Sequence, residues 1–245
     1  MKRYMRTTDD VMEMLDRVFS CTGGADWWDR FYADRGRDVP FFVDAADENL
    51  AAHLDTGLIR PRGRALDLGC GPGRNAVHLA ARGFDVDAVD LSGTAVAWGR
   101  ERAAAAGVAV RFHEGSIFGV QLPHATYDLV YDSGCLHHLP PHRRVGYLAL
   151  LDRVLAPGGC FGLTCFAAGA MGSEVSDDEL YRSGDLGGGL AFAPDELRHL
   201  FAELEEVEIR LMADHGKGAA TYGLPFLLAA LFRRPRPTPH PDSPR

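Results

Sequence analysis

Residues 66–76 read LDLGCGPGRNA: an apolar run holding one acid, three alternating glycines, and then the opening of a helix. RALDL (64–68) is short and apolar enough for a buried strand, and RNAVHLAARG (74–83) has a helical pattern closed by Gly83. Gly69, Gly71 and Gly73 let the backbone come close to a ligand, because a Cβ at those points obstructs it. By itself G-x-G-x-G reads equally well as an ordinary tight strand-to-helix turn. Two acids sharpen it. Asp67 lies inside the strand, and Asp90 stands 21 residues after Gly69 at the end of the next strand. A carboxylate there is placed to accept both hydroxyls of a ribose.

The same alternation continues outward. FDVDAVDL (84–91) reads as a strand and SGTAVAWGRERAAAAG (92–107) as a helix capped by Ser92 and ended by Gly107. VAVRFHE, YDLVYDS and CFGLTCF follow as strands, with a helix from Pro140-Pro141 to about Leu155 between the last two. PDELRHLFAEL (194–204) fits a helix, and EEVEIRLM and LPFLLAALFRR add two strands. This order predicts an α/β fold, a mostly parallel sheet of seven strands with helices on both faces. Residues 1–59 read as a helical cap, with Thr8-Asp9-Asp10 opening a first helix and Trp27, Trp28, Phe31 and Tyr32 along one side of a second. The core spans 60–233. Within it, 167–192 is a Gly-rich insertion with a capping box at Ser176–Glu179, of the kind that forms lids. The Pro-rich end, 234–245, reads as a disordered tail.

Composition excludes several classes. No run approaches the 18 uncharged apolar residues that a membrane span needs, and MKRYMRTTDD is not a secretory leader. A net charge of −8 opposes phosphate backbones and argues against nucleic acid as a partner. Only Lys2 and Lys217 are lysines among 26 basic residues, a bias we read as a GC-rich bacterial genome. Five scattered cysteines suit a reduced cytoplasm, and Cys160 and Cys165, five apart in one strand, point to opposite faces. No metal is expected.

With these motifs in order, the chain resembles the class I S-adenosylmethionine-dependent methyltransferases over roughly residues 60–235. LDLGCGPGRNA is similar to their first motif and VDAVDLS to their second. GSIFGVQLP (115–123), YDLVYDSGCLHHLP (127–140) and LAPGGCFGL (155–163) match the later segments. Arg74-Asn75 and the aromatic stretch WWDRFYADRGRDVPFF (27–42) resemble the tellurite-resistance and thiopurine branches. A nucleotide dehydrogenase is disfavoured, since Arg74 stands where a third glycine of G-x-G-x-x-G belongs.

The resemblance implies a Rossmann-like fold, S-adenosyl-L-methionine as cofactor and in-line methyl transfer to a small molecule through S, N or O. It implies that Asp67 and the Gly69 backbone hold the methionine amino group and that Asp90 holds the ribose. Gly71, Gly73 and Asn75 complete that turn, Leu91 lies on the adenine face, and Ser116 and Ile117 border the adenine edge. Many relatives carry Asp where Ser116 stands. Asp132 and Ser133 face the methionine and methyl group. Trp28 and Tyr32 match paired aromatics that roof the site, with Phe31 and Phe41 as substrate walls; the alternative is that these rings are core. Arg35 and Arg37 are either partners of the cofactor carboxylate or a solvated face. His138, His137 and Asp132 are the candidate bases, packing being the other reading for both histidines. Cofactor binding without transfer, as a sensor or scaffold or in an enzyme that uses the cofactor non-canonically, stays open. Residues 1–45 and 167–192 are expected to close together over the methyl group, with Gly184 and Gly187–Gly189 as a hinge.

Overall fold

The computed structural model describes residues 5–19, 24–216 and 218–237. Three helices come first: α1 (Thr8–Asp16), α2 (Ala25–Ala33) and α3 (Glu48–Asp55). The cap of α1 is Thr7, one residue before the expected position. Its side chain accepts from Asp10 N, and Asp10 reaches back in a capping box. Then follow β1 (Gly63–Leu68), α4 (Arg74–Ala81), β2 (Phe84–Asp90), α5 (Gly93–Ala105), β3 (Val110–Glu114) and β4 (Tyr127–Ser133). The chain continues through α6 (Arg143–Val154), β5 (Leu155–Ala167), α7 (Asp177–Ser183), β6 (Ala191–Phe192), α8 (Pro194–Leu200), β7 (Glu205–Leu211) and β8 (Leu227–Arg233). As expected, Ser92 caps α5, Ser176 forms a capping box at α7, and Pro194 opens α8.

Seven strands lie in the order β3-β2-β1-β4-β5-β8-β7, and all pairings are parallel except those of β8 with β5 and β7. The two-residue β6 also pairs with β5, off this path; nothing in its sequence announced it. The order reverses between β1 and β4. In such sheets ligands bind at that point, beyond the carboxyl ends of the strands.

Alternate residues divide between two cores, as strand geometry requires. Leu66, Val130, Phe161 and Leu163 pack with Leu150, Leu151 and Leu197 on one face. Ala65, Val86, Leu129 and Tyr131 pack with Leu50, Leu79 and Val96 on the other. Cys165 joins the first core and Cys160 the second, as five-residue spacing dictates. Of the expected tail, Arg234 is tied to Asp152 by its guanidinium, and residues 238–245 lie outside the described residues, as does Cys21. No helix among the described residues is long and apolar enough to cross a membrane.

Candidate functional site

A cavity of about 790 Å³ opens over the carboxyl ends of β2, β1, β4 and β5. Its floor is the turn after β1. Gly69 and Gly71 have φ of +61° and +51°, the left-handed region where a side chain is disfavoured. An added Cβ would lie 2.6 Å from Cys135 Cβ at the first and 2.9 Å from the Tyr32 hydroxyl at the second. The turn is pinned to β2: Cys70 N donates to Val89 O, and Gly71 N to Asp90 Oδ2 at 2.7 Å. Gly73 does not line the cavity; an added Cβ there would meet the Phe112 ring at 2.7 Å. Its bareness lets α4 pack, a correction to the expectation that it binds cofactor.

Asp67, Asp90, Leu91, Ser116 and Ile117 line the cavity together. Asp67 is 1% exposed, and its Oδ2 has no hydrogen-bond partner among the described residues. Burial pushes its carboxyl well above the usual range, although Arg74 pulls the other way. Asp90 accepts from Gly71 N and Ser92 N, one bond per oxygen, which leaves lone pairs for further donors. Burial lifts it to about 6. An ammonium beside Asp67, a diol at Asp90 and a flat base between Leu91 and Ile117 fit these residues, and together they describe S-adenosylmethionine.

Tyr32 and Trp28 roof the turn, stacked at 5.9 Å, and Phe41 lines the far wall. Asp29 holds this roof down by accepting from Ser92 Oγ and Thr94 N at the start of α5. Phe31 is not in the lining; it stacks on Phe41 and Trp27 behind it, so its assignment as a substrate wall is corrected. Arg35 pairs with Glu101, and Arg37 lies over the Phe31 ring. Neither lines the cavity. Arg74 does line it, bound to Asp47 at 2.6 Å, to Ser133 Oγ at 3.0 Å, and laid over Tyr222. Asn75 borders the cavity, but its amide is committed to Asp47 through Nδ2 and Oδ1.

The three candidate bases separate cleanly. Asp132 is fully buried outside the lining and accepts from Cys135 N, Leu136 N and the Tyr147 hydroxyl. It shapes the turn after β4 and does not face the methyl site, which corrects that expectation. His137 borders the cavity, but its Nδ1 accepts from Phe166 N, its ring stacks on Phe166 at 3.9 Å, and its carbonyl accepts from Leu190 N. It ties the insertion to β5. His138 is different. Its ring lines the cavity 5.1 Å from Trp28, with no hydrogen bond to either nitrogen among the described residues.

Burial alone lowers His138 to about 4. A histidine held neutral in the fold binds its proton less tightly there than when unfolded. Its contribution to stability is therefore present above about 6.5 and is lost as pH falls towards 4. Urea denaturation of the protein and of His138→Gln should show the gap between them shift by about 3 kcal/mol from pH 7 to pH 4, against the wild type at low pH. A constant gap would contradict the buried neutral ring.

Residues missed from sequence include Phe166, Met171 and Leu186 from the insertion side, and Tyr222, Leu224 and Phe226 before β8. Asp16, Arg17, Phe19 and Arg143 close the other end, where Arg143 bonds Asp16 and lies over Phe118. His142 joins this latch, with Nε2 at 2.9 Å from Asp16 and Nδ1 at 2.8 Å from the Tyr181 hydroxyl. Residues 16–19 and helix α7 of the insertion thus meet, Phe19 lying edge-on to Tyr181 at 5.2 Å.

Residues 65–159 match a family described as a methyltransferase domain. The chain is 34% identical over 110 residues to an uncharacterised methyltransferase of Synechocystis, covering 45% of this chain and 50% of that one. It is 29% identical over 161 residues to the 27-O-demethylrifamycin SV methyltransferase of Amycolatopsis mediterranei, 64% of this chain and 56% of the relative. The chain spans about half the length of these curated relatives. Among solved structures it resembles the 1,6-didemethyltoxoflavin-N1-methyltransferase of Burkholderia thailandensis with bound 1,6-didemethyltoxoflavin and S-adenosylhomocysteine. The TM-score is 0.62 at 24% identity, over 96% of this chain and 93% of that one, a likeness of fold.

Proposed function

We propose that this protein, whose residues 65–159 match a methyltransferase domain, binds S-adenosylmethionine and passes its methyl group to a small-molecule acceptor. The observation that carries this reading is Asp67: a buried carboxylate oxygen without a partner, beside a turn stripped of side chains. Such an oxygen is costly unless a ligand supplies the missing donor. A relative that acts on 27-O-demethylrifamycin SV, a small molecule, supports the same choice of acceptor.

When bound, the cofactor supplies an electrophilic methyl group on a positively charged sulfur. The protein's share is placement. Asp67 holds the ammonium, Asp90 fixes the ribose, and Leu91, Ser116 and Ile117 border the base. Trp28 and Tyr32 present ring faces to the region above the turn, where a cation is attracted by aromatic electrons. The roof also excludes water, so that the one nucleophile within reach is the acceptor that the walls align. Nucleic acid is not the acceptor in this reading, given the charge of −8. Localisation in the cytoplasm belongs to the same proposal.

Calorimetry tests it directly. S-adenosylhomocysteine should bind the purified protein, and Asp90→Ala should weaken binding by about 1–3 kcal/mol, the cost of leaving hydroxyl donors unmet. Unchanged affinity in that variant would remove the ribose assignment.

A further inference from the structure

Given the methyl-transfer reading, on which this rests, we infer that the acceptor is a flat, uncharged ring compound with an acidic O–H or N–H, and that His138 takes that proton. Sheet order divides the cavity. The cofactor residues sit at the ends of β1, β2 and β3, leaving the half beyond β4, β5 and β8 for the acceptor. That half is walled by Trp28, Phe41, Phe166, Met171, Leu224 and Phe226. Ring faces and thin apolar chains on opposed sides favour a planar guest.

Charge is answered within the wall. Arg74 is bound to Asp47, and Arg143 to Asp16 at the opposite end, where Arg17 also lies. An ionised acceptor would lose its hydration against apolar rings, with Arg74 beside it already neutralised by Asp47. Polar groups are similarly committed. Ser133 Oγ accepts from Arg74, Thr164 Oγ1 meets the Tyr131 hydroxyl, and His137 Nδ1 is taken by Phe166 N. Burial raises the Cys135 thiol, and lifts the Tyr222 phenol to about 12, so both stay protonated near neutrality. The His138 ring is what remains: neutral, in contact with Trp28 and 6.1 Å from Phe166, with no competing hydrogen bond among the described residues.

A base this weak selects its partner. Burial holds His138 to about 4, so it draws a proton from an acidic phenol, enol or ring N–H far more readily than from an aliphatic alcohol. The acceptor's O–H or N–H bond breaks and leaves its electron pair on the acceptor. That pair bonds the methyl carbon while the carbon–sulfur bond gives its pair to sulfur. The proton rests on His138 until product leaves and water removes it.

The test uses the full chain loaded with S-adenosylhomocysteine for binding, and with S-adenosylmethionine for transfer read by mass spectrometry. The probes are 1-naphthol, chlorinated naphthols of rising acidity, 1-naphthylmethanol and a sulfonated naphthol. Uncharged naphthols should bind and be methylated, naphthylmethanol should bind without reacting, and the sulfonate should not bind. His138→Asn should lower kcat on 1-naphthol by about 100-fold or more, with S-adenosylhomocysteine affinity held within about twofold. The loss should shrink as naphthol acidity rises, which a packing role would not produce. Equal transfer to naphthylmethanol, tight binding of the sulfonate, a uniform loss across the naphthols, or cofactor binding with no naphthol methylated each overturns the inference. Failure to bind S-adenosylhomocysteine at all would instead overturn the methyl-transfer reading.

Discussion

Asp67→Asn is expected to weaken S-adenosylhomocysteine binding by about 150- to 4000-fold while making the ligand-free protein more stable. The two effects share one origin. In the free protein the carboxylate is buried with Oδ2 unpaired, close enough to Asp47 and Asp132 for both to repel its charge. Removing that charge relieves the fold. In the complex the same charge faces the ligand's ammonium in a low-dielectric site, and losing one partner of a buried pair costs about 3–5 kcal/mol. Calorimetry and thermal unfolding of the two proteins, measured side by side at pH 7, report the opposed signs. If affinity and stability fell together, Asp67 would be a structural residue and the ammonium would be held elsewhere.

Gly69→Ala should damage fold and cofactor site together. The left-handed φ costs an alanine about 1–2 kcal/mol. The new carbon would also meet Cys135 at 2.6 Å from Cβ and 2.8 Å from Sγ. Relief of that clash by moving the turn would add about 1–3 kcal/mol. The summed loss corresponds to a fall in Tm of about 4–20 °C for a chain of this size. It should carry cofactor affinity with it, because the turn shifts relative to Asp67. Cys135→Gly in the same background removes the steric part and leaves the backbone part. The double variant should therefore be less impaired than the two single losses added together. Additive losses would mean that the turn yields without touching Cys135.

The strands and helices of the core were legible because each is buried or amphipathic at its own period, and because the glycines punctuate them. Asp67 and Asp90 were legible for a related reason: an acid in a buried strand end has few structural uses. The walls were not. Phe166 and Phe226 read as strand residues, and only the antiparallel return of β8 beside β5 brings them to the same edge. Arg74 was seen as part of a motif, while its partner Asp47 lies 27 residues upstream, where no motif marked it. His137 and His138 are neighbours with one sequence pattern between them. Their difference comes from a backbone N–H of Phe166 that occupies one ring and not the other. Phe31 shared the helical face of Trp28 but turned behind Phe41.

The matched family segment ends at 159, and every residue named above as an acceptor-side wall lies outside it, although His138 lies within. Trp28 and Phe41 precede it; Phe166, Met171, Leu224 and Phe226 follow. Side-chain bonds fasten the outer pieces: Asp29 on Ser92, Asp47 on Arg74 and Asn75, and Glu48 on Arg210. The Glu48 carboxylate takes both terminal Arg210 nitrogens and Ala213 N, and the Glu48 N–H donates to Tyr222 O. Phe166 is held in β5 itself. The proposed berth of the methyl donor, by contrast, rests on hydrogen bonds between β2 and the turn that joins β1 to α4. Substitutions among the outer rings can therefore redraw which molecule is accepted while the donor's berth keeps its shape. The molecule is in this respect a fixed engine behind an exchangeable face, and a survey of acceptor preference belongs on the residues that the shared domain does not contain.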